Sequence, residues 1–336
     1  MGDTWARWSG LCSRFRFACT HHITRVQIII DITSLHPSTV HAAATEAPSA
    51  ALRTLLRSVG QIVLQANAFT GACLLAAWWL ADPRLACAAL MGAISANVSA
   101  ILADTRDHPN RDDEIRAGLH GFNGALAGLA AFSFIADSGT AAAVTILAAT
   151  GTAWLIKPMS RWLSVRGLGY FSSPCLLVTW FWLPMLANHA TPASALQPHA
   201  MVAGSALQWS SGLLAGFAQT GFASGALPGL LVLTGIAAAS RRHAFAALIG
   251  AALASAAHLV LHASPSSFDA GLLGFNGALT ALALIDYGGL SMIGGVMLSV
   301  VLQAIAARLG WPAMTAPFVI ATWSVQWLGR RVAQPA

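Results

Sequence analysis

Charged residues are absent from long stretches of this 336-residue chain. Residues 167–240 contain no Asp, Glu, Lys or Arg, and the stretches 58–81, 85–103 and 287–307 are also free of charge. A membrane-spanning helix needs about 20 mostly apolar residues, so the chain has room for about ten spans. The sequence therefore predicts a helical protein that crosses a membrane many times.

The overall composition excludes several other classes of protein. Hydrophobic residues make up 56% of the chain and charged residues only 9%, whereas a soluble domain has about 25% charged residues. Such a chain cannot cover a globule with a solvated surface, which argues against a soluble enzyme or a disordered protein. The net charge is +6, but basic residues such as Arg241 and Arg242 stand at the ends of apolar runs. That placement is typical of loops that fix membrane topology, and it argues against nucleic-acid binding.

The chain also repeats itself. The six residues 121–126, Gly-Phe-Asn-Gly-Ala-Leu, return unchanged at 274–279. Gln61 and Gln219 lie in a second pair of similar segments, and the third pair begins at Ser172 and Thr315. Because the three pairs occur in the same order, we predict two homologous halves, residues 47–200 and 201–336.

Transporters are often built from such repeats, with the substrate site near the bilayer midplane where the repeats meet. If each half has an odd number of spans, the halves insert with opposite orientations. Gly and Pro inside apolar segments indicate broken helices, whose backbone is tolerated only when buried in protein or lining a cavity. The residues predicted at these breaks are Gly121, Asn123, Gly124, Pro174, Gly274, Asn276, Gly277 and Pro317.

The doubled Gly-Phe-Asn-Gly motif, the Gln61 segment before Thr70-Gly71, and residues 309–318 together resemble the urea transporter family over residues 50–330. The resemblance implies an all-α polytopic membrane protein with two inverted homologous halves. It further implies about ten transmembrane helices, two re-entrant half-helices, a pore within each protomer and a homotrimer. Urea would be the permeant, and no enzymatic activity, metal or cofactor is expected.

Matching the motifs residue by residue carries the family's pore onto this chain. The pore residues implied by the resemblance are Gln61, Leu64, Phe122, Leu126, Ser172, Gln219, Phe222, Phe275, Leu279 and Thr315. Three of them depart from the family pattern. Ser172 stands where Thr is usual and keeps the hydroxyl, Leu64 replaces a Phe and would widen one mouth, and Gln219 replaces a frequent Glu but still offers an amide oxygen.

The chemistry of urea agrees with this expectation. Urea is planar, neutral and rich in N–H donors, and stripping a polar group of water without replacement costs roughly 2–7 kcal/mol. A pore must therefore supply acceptors, while apolar walls exclude ions because they do not replace lost ion hydration. A neutral solute needs no coupling ion, so we expect passive flow. The compact core suggests a multi-pass protein surrounded by the lipids of a bacterial inner membrane.

Two other transport functions stay open at this stage. His258 and His262 are four residues apart and share a helix face, as an ammonia or short-chain amide channel could require. Asp137, Asp269 and Asp286 could serve a cation-coupled transporter, although they stand at the ends of apolar runs.

The N-terminal residues 1–46 have no counterpart in the second half and no run long enough to span a membrane. We expect them to be a poorly ordered extension. Their Cys12, Cys19, His21 and His22 do not have the spacing of a zinc site.

Overall fold

The structure is a computed structural model that describes residues 37–103, 118–186 and 206–333. The chain separates into two units, Met1–Leu52 and Arg53–Ala336. The extension predicted to be poorly ordered is residues 1–46. Of these, residues 1–36 lie outside the described residues, and residues 37–46 belong to the helix Pro37–Gly60. The second unit holds both copies of the repeated motif.

The described residues form helices and contain no β-strand. Those of the first half are α1 (Pro37–Gly60), α2 (Ala68–Ala81), α3 (Pro83–Ala103), α4 (Gly121–Phe134), α5 (Ser138–Ser164) and α6 (Ser173–Trp182). Those of the second half are α7 (Ala206–Gln219), α8 (Ala226–Ala239), α9 (Arg241–Val260), α10 (Pro265–Asp269), α11 (Phe275–Leu284), α12 (Gly289–Arg308) and α13 (Ala316–Ala333). Short 3₁₀ turns follow α1, α6 and α11.

Four of the described helices, α3, α5, α9 and α12, are long and apolar enough to cross a membrane. Residues Ser49–Val63 and helix α2 reach this standard together, but they are bent by 75° at the break between them. Helices α4 and α8 are apolar but shorter. The chain is therefore a multi-pass membrane protein, helical and without strands over the described residues, as its uncharged stretches predict.

Glycines bring the central helices of each half into close contact. A Cβ added at Gly124 in α4 would lie 2.4 Å from the carbonyl oxygen of Gly92 in α3. A Cβ added at Gly277 in α11 would likewise lie 2.4 Å from the carbonyl oxygen of Gly250 in α9. Helices in membranes associate through such small residues, because these let the backbones approach each other. The repeated motif thus packs in the same way in both halves.

Corresponding positions of the two halves also share an uncommon backbone conformation. Leu64 and Phe222 have φ of 59° and 61°, and Phe171 and Met314 both have φ of 45°. Non-glycine residues seldom adopt this left-handed region, because the Cβ crowds the backbone. The four residues lie where the chain leaves or enters a helix, so they set the direction of the chain at these four turns.

Candidate functional site

Two hydroxyl groups from opposite halves meet at the centre of the second unit. Ser172 Oγ and Thr315 Oγ1 lie 2.8 Å apart, and either can be the donor. Both residues are buried, with 5% and 8% of their surfaces exposed. Each stands immediately before a helix, α6 for Ser172 and α13 for Thr315. A hydroxyl has one O–H and two acceptor lone pairs, so the pair keeps free lone pairs after bonding to itself.

A small cavity of about 10 Å³ surrounds the two hydroxyls, which is about the space of one water molecule. Its lining residues come from both halves and are Gln61, Ile62, Leu64, Phe122, Leu126, Phe171, Ser172, Thr220, Leu279, Thr315 and Phe318. None of these residues carries a charge. The cavity therefore combines a few hydrogen-bonding groups with aromatic and aliphatic walls.

The position of Ser172 is fixed by Asn123 in the repeated motif. Asn123 Nδ2 donates to the carbonyl oxygen of Phe171 at 3.0 Å, and its Oδ1 accepts from the backbone N–H of Cys175 at 3.0 Å. The first N–H groups of a helix have no partner within that helix. Asn123 supplies the acceptor for one of these N–H groups, that of Cys175. It thereby ties the start of α4 to the start of α6.

Asn276 has the corresponding role in the second half. Its Nδ2 donates to the carbonyl oxygen of Met314 at 3.1 Å, and its Oδ1 accepts from the backbone N–H of Phe318 at 3.3 Å. The same Nδ2 also donates to Gln303 Oε1 at 2.9 Å. Thr315 is therefore held between two backbone groups that Asn276 fixes. This symmetry brings the two hydroxyls together.

Seven of the ten residues implied by the resemblance line the small cavity, and three do not. Gln219 Nε2 donates to the carbonyl oxygen of Ala270 at 3.0 Å. The ring of Phe222 contacts the ring of Phe134 edge to face, with 6.1 Å between centroids. Phe275 lines a second, larger cavity of about 700 Å³.

Sequence reasoning missed four lining residues: Ile62, Phe171, Thr220 and Phe318. Each is next to a residue that the motifs had singled out. Ile62 and Thr220 directly follow Gln61 and Gln219, Phe171 precedes Ser172, and Phe318 follows Pro317. Proximity to the motif was the available signal.

The residues of the alternative hypotheses lie elsewhere. His258 and His262 line the larger cavity. Asp137 caps α5, where its Oδ2 accepts from the backbone N–H of Thr140 at 2.7 Å. This hydrogen bond to the ionised form lowers the pKa of Asp137. Asp286 forms an exposed ion pair of 3.0 Å with Arg242. Neither aspartate lines the small cavity.

The described part of the chain has no cluster of three or more His, Cys, Asp or Glu residues that could hold a metal ion. The fold and the site thus define a multi-pass helical membrane protein whose two halves meet around a narrow, uncharged cavity. A sequence model described as "Urea transporter" matches residues 52–330. The chain therefore belongs to the urea transporter family, which moves urea across membranes and is not a family of enzymes. A search of curated proteins gave no match.

Proposed function

We propose that the chain is a passive, channel-like urea transporter and that urea passes between the two halves at the small cavity. The main support is the pair of hydroxyls at Ser172 and Thr315, 2.8 Å apart and contributed by opposite halves. Their oxygens can accept N–H groups from urea at the point where its water is removed. A desolvated N–H without an acceptor would cost about 1–3 kcal/mol.

The walls around the hydroxyls suit a flat, neutral solute. Leu126 and Leu279 are both buried, with 5% and 2% of their surfaces exposed, and they come from the two copies of the motif. Phe122 and Phe318 add aromatic surface to the same cavity. These walls offer no compensation for lost ion hydration, so ions are excluded while urea keeps its hydrogen bonds.

Passage of urea requires the cavity to widen, because urea is larger than the single water molecule that fits there. We propose that rotation of the leucine side chains opens the slot, while Asn123 and Asn276 hold the backbone in place. A rigid backbone with mobile leucine tips would let urea pass without a large conformational cycle.

We further propose the complete architecture that the resemblance implies. It comprises ten spans, two re-entrant half-helices, inverted halves at residues 47–200 and 201–336, and a pore in each protomer of a homotrimer in a bacterial inner membrane. The matched left-handed residues support the two-fold relation of the halves, as do the matched glycine contacts. Surrounding lipids would cover the apolar outer surfaces.

Stopped-flow light scattering of proteoliposomes in a urea gradient tests the function. We expect faster swelling with urea than in protein-free liposomes, and no such difference with a sugar. Parallel experiments with ammonia and with short amides separate urea from the alternative permeants. Equal urea rates in protein-free liposomes and proteoliposomes would contradict the proposal.

A further inference from the structure

The two copies of the repeated motif differ in what covers their phenylalanine. In the first half the ring of Tyr170 stacks on the ring of Phe122, with 5.8 Å between centroids and an interplanar angle of 21°. The Tyr170 hydroxyl donates to the carbonyl oxygen of Leu119 at 3.0 Å. Only 6% of the surface of Phe122 is exposed. The Tyr170 side chain thus fills the space beside the first copy of the motif.

In the described part of the second half, no ring takes this place. By the alignment that pairs Ser172 with Thr315, the residue matching Tyr170 is Ala313. The carbonyl that matches Leu119 belongs to Leu272, and it accepts from Gln303 Nε2 at 2.7 Å. Gln303 therefore replaces the hydrogen bond of the tyrosine hydroxyl, while the volume of the aromatic ring is not replaced.

The larger cavity of about 700 Å³ lies at this position and is lined by Phe275, Gln303 and Ala313 among others. Its volume is within the usual range of ligand pockets, about 300–1,000 Å³. Phe275 is only partly buried. Among the described residues, no aromatic ring stacks on it. The second half thus offers an aromatic surface that Tyr170 covers in the first half.

The other residues that line the larger cavity determine which charge an aromatic ligand should carry. Arg308, His258 and His262 all line the cavity, and no Asp or Glu does. His258 has 4% of its surface exposed, and its Nε2 is buried without a hydrogen-bond partner among the described residues. The partial negative charges of the α9 and α12 C-termini oppose an anion, whereas the mobile, fully charged guanidinium of Arg308 at the end of α12 can reach and bind one.

We propose that this cavity binds a small aromatic anion, with its ring on Phe275 as Tyr170 lies on Phe122. Its anionic group would be directed towards Arg308 and His262, the exposed basic residues of the lining. The site is at the ends of α9 and α12, where His262 and Trp311 are exposed, so the cavity opens at the surface of the protein. None of the residues that line this cavity lines the small cavity.

Equilibrium dialysis of the full chain in lipid nanodiscs, with benzoate as the probe and benzylammonium as the matched cation, tests the proposal. We expect saturable benzoate binding and at least tenfold weaker binding of benzylammonium. Ala313→Tyr should fill the ring site as the first half does, and should weaken benzoate binding at least tenfold. Arg308→Gln removes the charge of an exposed side chain while keeping its polarity, and should weaken benzoate binding about tenfold.

The proposal is overturned if the wild-type chain shows no saturable benzoate binding at millimolar concentration, or if benzylammonium binds equally well. It is also overturned if a folded Ala313→Tyr protein binds benzoate like the wild type. If that variant does not fold, as judged by circular dichroism and thermal melting, Arg308→Gln decides, and unchanged affinity overturns the proposal. Because the readout is binding rather than urea flux, a negative result here leaves the proposed urea function unaffected.

Discussion

Replacing Thr315 with Val tests the central site most directly. Valine keeps the branched shape of threonine and removes the oxygen that lies 2.8 Å from Ser172 Oγ. Urea would then lose one acceptor in a buried place, at a cost of about 1–3 kcal/mol, or roughly a five- to hundredfold fall in flux. Ser172 stays and, freed from its partner, can turn its lone pairs towards urea. We therefore expect a loss at the lower end, about tenfold.

The assay is urea flux by stopped-flow light scattering, normalised to protein amount and orientation in the liposomes. The matched control is Thr322→Val on the same helix. Thr322 is fully buried, does not line the small cavity, and its hydroxyl oxygen has no hydrogen-bond partner among the described residues. Its replacement should leave urea flux unchanged. If Thr315→Val conducts urea as fast as wild type and Thr322→Val, the hydroxyl pair is not the central acceptor site.

Three other outcomes are expected. Urea flux should not change with membrane voltage or proton gradient, because no charged residue lines the small cavity; a current that accompanies urea, measured in planar bilayers, would contradict passive flow. Gly277→Ala should lower the free energy of unfolding by roughly 1–3 kcal/mol through overpacking, since the added Cβ would lie 2.4 Å from the carbonyl oxygen of Gly250. Gly294→Ala is the control, because a Cβ added there has nothing within 4 Å and should leave the melting temperature unchanged. Equal melting temperatures for the two variants would disprove the close contact. Asp137→Asn should lower the melting temperature at neutral pH and leave urea flux unchanged. The folded pKa of Asp137 is lowered, so its stabilising effect is present above the ordinary aspartate pKa and is lost as pH falls through the lowered value; a difference between the proteins that persists in strong acid would contradict this.

The sequence predicted the helical membrane class and the family, and both predictions are confirmed. Hydropathy succeeded because a continuous apolar run of about 20 residues satisfies its backbone hydrogen bonds in lipid by forming a helix. It could not fix where helices break, since a break depends on hydrogen bonds between distant segments. The bond from Asn123 to Phe171 is one example.

The two copies of the motif are identical in sequence but have different neighbours in the structure. Phe122 and Phe275 occupy the same place in a six-residue repeat, yet Phe122 lines the small cavity and Phe275 lines the larger one. The difference arises at Tyr170 and Ala313, outside the repeated six residues, and a motif match does not include it. Gln219 was predicted to line the pore, but its hydrogen bond to the carbonyl oxygen of Ala270 could not be predicted, because the sequence does not show that this carbonyl lies nearby.

The left-handed backbone at Leu64 and Phe171 links the stability of the fold to the shape of the cavity. Both residues line the small cavity, and both have positive φ, a conformation that costs a non-glycine residue about 1–2 kcal/mol. Glycine would remove that cost together with the side chain that shapes the cavity. Both side chains pack against the hydrophobic core, and truncating a core Leu or Phe costs about 2–5 kcal/mol, which is more than the backbone strain that glycine would relieve. Laboratory evolution scored only on yield or heat tolerance should therefore retain these two residues, so selection for a sturdy fold also preserves the shape of the cavity.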